Sequence, residues 1–271
     1  MIGHEHRQSY PSDLTDREWE VLEPHVPEAN KRGRPLEYTL REIINAIMYI
    51  LRAGCAWRMM PHDFPPWQTI YYHFRKWRKD GTWEQLNTIL REEVRQSEGR
   101  EKTPSAAIID SQSVKVSAVT GDRGYDAGKQ VNGRKRHLIV DTIGLVLGVI
   151  VTAASVQDRD GAKQIFEMIR YRFPRLKLIW ADGSYRGKLI DWVKTQCRWL
   201  LEIVKRNDDV SGFQVLPRRW VVERTFGWLG RYRRLSRDYE CLTQTSEAMI
   251  YAAMTHLMVR RLAAKTASKP P

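Results

Sequence analysis

Cysteine and long apolar runs are scarce in this chain of 271 residues, and acidic residues are well outnumbered by basic ones. Its three cysteines, Cys55, Cys197 and Cys241, stand far apart. That excludes a disulfide framework and a paired zinc-ligand pattern, and a reducing, cytoplasmic setting is expected. The most apolar segment, Leu138 to Ala154, is interrupted by Asp141, Thr142 and Gly144, which excludes it as a membrane span. The opening MIGHEHRQSYPSD has no apolar core of the kind a signal peptide needs, so neither secretion nor membrane insertion is expected. Acids number 32 against 45 lysines and arginines, for a formal net charge of +13. The basic residues cluster, and such a surplus favours a polyanionic partner, with nucleic acid the first candidate over a merely basic soluble protein.

What is present is 42% hydrophobic residues, enough for a sizeable core, arranged in two styles. The first hundred residues read as helical. SDLTDREWEVLEP, from Ser12 to Pro24, has an N-cap, an acidic first turn and a proline stop. A basic, glycine- and proline-punctuated loop, ANKRGRP, covers residues 29–35. Thr39 then caps an amphipathic helix over Leu40 to Ala53, whose Ile43, Ile44, Ile47, Met48 and Leu51 recur at helical spacing, and Gly54 closes it. Pro66 and Trp67 open a further helix through YYHFRKWRKDG. The pair suggests a helix-turn-helix in which Thr69, Tyr72, His73, Arg75, Lys76, Arg78 and Lys79 face DNA while Ile70, Phe74 and Trp77 pack inward. An ordinary helical bundle with a solvated basic face is the alternative.

The turn-rich QSEGREKTP, Gln96 to Pro104, marks a boundary between domains at 1–100 and 101–271. Strand-like runs follow at 106–116, 137–141 and 145–153, the last two as a hairpin. Then come a helix at 159–173, a strand at 176–181, a short helix at 187–196, a strand at 199–204 and a long terminal helix. That order is the one expected of a ribonuclease-H-like α/β fold: a mixed five-stranded sheet flanked by helices.

Three acids stand out. Asp110 and Asp182 close the apolar runs AAIID and LIWAD, each followed by a polar loop, and Glu223 follows inside an arginine-dense helical stretch. Ends of parallel strands are where open α/β sheets place their chemistry. The trio reads as a phosphoryl-transfer site in which two Mg²⁺ ions ~4 Å apart serve the attacking and leaving oxygens, since hard cations take oxygen ligands. Asp141, in a hairpin turn, and Asp158 and Asp160, at a helix start, read as structural acids. Among the histidines no metal-ligand spacing appears, and His137 reads as a structural strand residue.

The set LTDREWEVLEP, GRPLEYTLREIINAIMYILRAGCAWRMMP, YYHFRKWRKDGTWEQL, IIDSQSVK, GRKRHLIVDTIGL, WADGSYRG and RWVVERTFGWLGRYRRLSRDYE spans nearly the whole chain. It resembles the bacterial insertion-sequence DDE transposases, in the insertion-sequence-five group of the insertion-sequence-four superfamily. The resemblance implies a catalytic, metal-binding triad of Asp110, Asp182 and Glu223 on a ribonuclease-H-like core. It also implies Mg²⁺-dependent cleavage and strand transfer, with Mn²⁺ able to substitute. Double-stranded transposon ends and target DNA would be the partners, with a homodimer at synapsis and a nucleoid-associated location. The superfamily pattern around the glutamate is Tyr, two residues, Arg, three residues, Glu, six residues, Lys. It is matched here at Arg219 and Glu223, whereas Leu216 and Gly230 stand at the tyrosine and lysine positions. A nuclease without strand transfer and a DNA-binding regulator with a decayed site are the competing functions.

Arginines 218, 219, 224, 231, 233, 234 and 237 interleave with Trp220, Phe226, Trp228 and Tyr232. Arg219, Arg224, Arg231, Arg233 and Arg234 are candidate phosphate clamps, while the aromatics are expected to pack the helix on the sheet. Arg219 also stands one helical turn before Glu223 and either orients that carboxylate or makes a plain surface ion pair. Lys115 and the run KQVNGRKRH, with Arg134, Lys135 and Arg136, are further candidates for the DNA backbone, a solvated loop being the alternative for the run. The stripe Ile250, Met254, Leu257 and Met258 reads as packing, with self-association the sharper option.

Overall fold

A computed structural model describes residues 7–27, 37–117, 121–204 and 218–267. The basic loop at 29–35 and Leu216 lie outside the described residues. The chain divides into two compact units, one of Met1–Arg100, Arg231–Leu235 and Ala248–Pro271, the other of Glu101–Gly230 and Ser236–Glu247.

The first unit is helical. Helix α1 (Asp16–Leu22) starts on a reciprocal cap in which the Thr15 hydroxyl accepts from Glu18 N–H while the Glu18 carboxylate accepts from Thr15 N–H. Thr39 caps α2 (Leu40–Ala53), which ends at Gly54 with φ +76°, a left-handed position that glycine adopts without cost. The Gly54 to Pro66 connection contains a 3-10 turn at Trp57–Met59, so α2 and α3 (Trp67–Lys79) are joined by more than the expected short turn. Gly81 separates α3 from α4 (Thr82–Ser97), a helix the sequence reading had not set apart. Ile70, Phe74 and Trp77 of α3 are buried as expected, beside Trp83. His73 is buried too, its ring against Trp77 at 5.5 Å and its pKa held down by burial, so it is removed from the outward-facing set. Of the stripe on α8 (Thr243–Ala267), Ile250, Met254 and Met258 are fully buried and Leu257 is half-buried, which accounts for it mainly by packing.

The second unit is built on a six-stranded mixed sheet in the order β2-β3-β1-β5-β6, with β4 paired to β3. Its strands are β1 (Ala106–Lys115), β2 (Gly124–Asp126), β3 (Val131–Asp141), β4 (Val146–Ala153), β5 (Leu178–Ala181) and β6 (Leu200–Ile203). β1 to β4 are antiparallel neighbours, whereas β1, β5 and β6 run parallel. Helices α5 (Asp158–Ile169), α6 (Lys188–Cys197) and α7 (Trp220–Gly230) pack on it. The five longer strands are those of the expected ribonuclease-H-like fold, and the three-residue β2 is an addition. Side chains alternate across the sheet. Ala107 and Ile109 join Ile165, Phe166 and Ile169 of α5 in one core, which leaves Ile108 and Asp110 on the opposite face, the one α7 packs against.

One expectation fails here. The strand expected to start at His137 begins at Val131, so most of the basic run read as a DNA-backbone contact ahead of the hairpin is the first half of β3. Arg134, Lys135 and Arg136 are all buried, so they are withdrawn as DNA-binding residues. Alternation sends them to two faces. The Arg134 guanidinium donates to Asp238 Oδ1 (3.1 Å), to the carbonyls of Glu240 and Cys241 (2.7 Å each) and to the Asp122 carbonyl (2.8 Å). Arg136 donates to the Arg237 carbonyl, and burial lowers its pKa to about 10. On the other face, Lys135 Nζ lies 3.2 Å from Asp126 and 3.0 Å from Asp158. Buried charges persist only when paired and hydrogen-bonded in this way.

Candidate active site

The parallel register sets Ile108 of β1 beside Trp180 of β5, so Asp110 and Asp182, each two residues further on, leave neighbouring strands at the same level. Asp182 directly follows β5 and opens a 3-10 turn, its Oδ1 accepting from Ser184 N–H at 2.7 Å. Asp110 differs from expectation in one respect: it lies inside β1, which continues to Lys115, and what ends there is the pairing with β5. Its Oδ1 accepts from Ser111 N–H at 2.7 Å. Each aspartate thus has one oxygen fixed by a following backbone N–H, while its Oδ2 lies on the side of Arg219.

Those two oxygens meet a third acid. Glu223 lies on α7, and Nη2 of Arg219, four residues earlier, is 3.7 Å from Asp110 Oδ2, 3.7 Å from Asp182 Oδ2 and 3.4 Å from Glu223 Oε1. One guanidinium nitrogen therefore touches all three carboxylates. The side chain of Asp110 is 15% exposed, that of Asp182 28% and that of Glu223 50%, so the cluster opens from the strand ends toward solvent. Burial, with the charge of Asp182 adding to it, pushes the Asp110 carboxyl up to about 6 against the opposing effects of Ser111 N–H, Arg219 and Lys129.

All the donors are carboxylate oxygens that already share one cation, so the donor set suits a hard divalent ion. The oxygens are spread around Arg219 and not drawn into a cage. Among the described residues no group of three or more His, Cys, Asp or Glu has the closeness of a formed metal site.

Helix α7 is held in register from outside the triad. Arg224 is sandwiched between Trp220 (4.5 Å) and Trp228 (4.6 Å) and donates to the Ile143 carbonyl, while Thr225 donates to the Gly144 carbonyl. A Cβ on Gly144, whose φ is +86°, would meet Thr225 and Trp228 within 3 Å, so the hairpin turn needs glycine to come this close. Arg224 is consequently a structural clasp and is withdrawn as a phosphate clamp. Trp220 does not pack on the sheet as expected; it is 41% exposed.

Of the remaining candidates, Lys115, Arg75, Lys76, Arg231 and Arg233 are exposed and Arg78 is half-buried. Arg234 is buried and donates to the Cys55 carbonyl, which gives it a structural role instead of the expected clamp. The sequence reading missed a polar network beneath Asp110. Ser111 Oγ donates to Asp158 (2.8 Å), Lys129 Nζ donates to the Ser111 carbonyl (2.9 Å), and Ser113 donates to Asp126. Burial alone would raise Asp126, yet Ser113, Lys129 N–H and Lys135 bring it down to about 2. Asp158 holds its place at the start of α5, as expected, but its partners come from β1 and β3, which spacing does not reveal. His137 is a buried strand residue bonded to Thr152, and burial lowers its pKa to about 4.

Comparison with known proteins gives the family. Residues 14–87 match the family described as "putative transposase of IS4/5 family", and residues 101–258 match that described as "transposase DDE domain". A curated relative from Burkholderia cepacia, "putative transposase for insertion sequence element IS402", is 29% identical over 120 residues, 40% of this chain and 54% of that protein. A second protein of that organism, "insertion element IS402 uncharacterized 16.2 kDa protein", is 27% identical over 110 residues, 38% of this chain and 73% of that protein. The match thus spans about half the length of the first relative. No solved structure matches significantly. With the DDE domain family matching more than half of its length, the chain belongs to the insertion-sequence DDE transposases.

Proposed function

We propose that this protein is a DNA transposase that cleaves the ends of its own insertion sequence and joins them to target DNA. The observation that carries the reading is the convergence of Asp110, Asp182 and Glu223 on one nitrogen at the ends of parallel strands. Family membership supports the choice of DNA as substrate.

In this account Asp110, Asp182 and Glu223 would hold two divalent ions, Mg²⁺ in the cell. When bound, the ions activate the attacking water or hydroxyl and stabilise charge on the leaving oxygen. The protein's own contribution is orientation. Ser111 and Ser184 N–H groups fix the aspartates, and the Trp220–Arg224–Trp228 clasp fixes the helix carrying Glu223. First, water attacks the phosphorus at the element's end and the bond to the 3′ oxygen breaks, freeing a 3′ hydroxyl. That hydroxyl then attacks a target phosphorus and displaces a target 3′ oxygen. Both are in-line displacements with the same charge demands, so one site serves both. Exposed Lys115, Arg75, Lys76, Arg231 and Arg233, with half-buried Arg78, supply backbone contacts along the duplex. Two copies, each holding one end, form the synaptic pair.

The test incubates the protein, and its Asp182→Ala variant, with labelled DNA carrying the sequences that flank its gene, with and without Mg²⁺. Mg²⁺-dependent nicking and end joining, both lost in the variant, support the proposal. Nicking without joining supports a nuclease, and binding without cleavage under any metal supports a regulator.

A further inference from the structure

We propose that Arg219 is the resident counter-cation of the triad: it holds Asp110, Asp182 and Glu223 together before metal arrives, and it is displaced when a divalent ion binds. The inference rests on the reading of these acids as metal ligands. Three close carboxylates repel one another, and Arg219 Nη2, at 3.4–3.7 Å, is a positive charge that among the described residues reaches all three. The contacts are longer than the ~2.7–2.9 Å of charge-assisted hydrogen bonds, and one nitrogen cannot align with three acceptors. Arg219 therefore balances charge without the two-pronged lock that arginine makes with a single carboxylate. Its Nε is buried with no hydrogen-bond partner among the described residues, so a second position that satisfies it has something to gain.

The backbone permits such a second position. Arg219 immediately precedes the first residue of α7, so its side chain can swing without unwinding the helix that carries Glu223. Arg218 before it sits at φ +72°, left-handed backbone, with its guanidinium 4.3 Å from the Trp180 ring centroid, a contact that holds the start of the stretch. Once displaced, the Arg219 fork is free to meet a phosphate oxygen. One residue thereby serves two successive anions: the acid cluster in the metal-free protein and the nucleic-acid backbone in the loaded one. Arg219 is a positioning residue in this scheme, and its removal should destabilise the metal-free protein, leave the metal-bound protein unchanged and so tighten metal binding.

Mn²⁺ and Mg²⁺ are titrated calorimetrically into the full chain without DNA, for the wild type, Arg219→Gln, Arg219→Lys and Asp182→Asn. Thermal unfolding is followed with and without saturating metal. Removing a competing positive charge should tighten Mn²⁺ binding in Arg219→Gln on the order of tenfold. The metal-free Tm of that variant should fall while its metal-saturated Tm matches the wild type, a pattern of linked binding that a merely structural ion pair would not give. Arg219→Lys, which keeps the charge, should bind metal with intermediate affinity. Equal or weaker metal binding in Arg219→Gln, with the same Tm deficit at all metal concentrations, would overturn the inference. Unchanged metal binding in Asp182→Asn would instead overturn the assignment of the triad as the metal site.

Discussion

Replacing Arg134 by methionine should damage the fold and leave the protein's intrinsic affinity for DNA untouched. The guanidinium is wholly buried and satisfies Asp238, two carbonyls of the 240–241 segment and the Asp122 carbonyl. Removing it leaves Asp238, whose side chain is 1% exposed, as a buried charge without its ion-pair partner, keeping among the described residues the hydrogen bonds of Ser246 and Glu240 N–H and the charge of Arg136. Breaking such a pair costs about 3–5 kcal/mol, a large part of the ~5–15 kcal/mol that keeps a domain folded. For a chain of this size that corresponds to a fall in Tm on the order of 10 °C. Urea denaturation gives the free energy directly, and Asp238→Asn added to Arg134→Met should recover part of the loss by removing the stranded charge. DNA affinity of the folded fraction, measured against salt concentration, should keep its slope. A variant of unchanged stability whose salt slope had dropped by about one unit would refute the reasoning and return Arg134 to the phosphate-binding set.

Further predictions concern the triad, its helix and the DNA surface. The folded Asp110 carboxyl titrates near 6, above the ~3.9 of an unfolded chain, so its ionisation destabilises the metal-free protein as pH rises through 6. Asp110→Asn should therefore stabilise the protein in EDTA at pH 7 by up to about 3 kcal/mol, with the gain gone by pH ~4, as read by denaturant melts across pH. Arg224→Ala, which opens the Trp220–Trp228 sandwich and frees the Ile143 carbonyl, should cost about 1–2 kcal/mol and lower kcat for cleavage with little change in KM. Lys115→Ala, Arg75→Ala and Lys76→Ala should each leave Tm unchanged and reduce the salt slope of DNA binding by about 0.9, measured by fluorescence anisotropy.

The parts of this protein that sequence exposes and hides differ for physical reasons. Asp110, Asp182 and Glu223 stand out because apolar runs and helical spacing already imply strands and a helix, and the acids break those patterns. The ribonuclease-H-like order of elements is legible on the same grounds. The first half of β3 is not, because a strand buried on both faces normally reads as apolar, whereas Arg134 and Lys135 are buried with ion-pair partners and Arg136 with the Arg237 carbonyl. Asp238, Asp158 and Arg237 come from distant segments and Asp126 from the neighbouring strand, and no local period announces them. Arg219 shows a partial case: spacing of four gives its contact with Glu223, but only the adjacency of β1 and β5 gives the other two. The Arg224 clasp was in reach, since Trp220 and Trp228 stand four residues to either side and face the same way on a helix.

The most direct test of the central claim is cleavage of end DNA by Asp110→Asn, Asp182→Asn and Glu223→Gln, measured together with DNA binding by each. Each amide keeps the shape of its carboxylate and removes the charge that a divalent cation needs. The account predicts that all three lose Mg²⁺-dependent nicking by about 10³-fold or more while binding DNA as the wild type does, a loss comparable to removing a main source of transition-state charge stabilisation. Wild-type rates of cleavage in any one of the three would contradict the assignment of a shared carboxylate site.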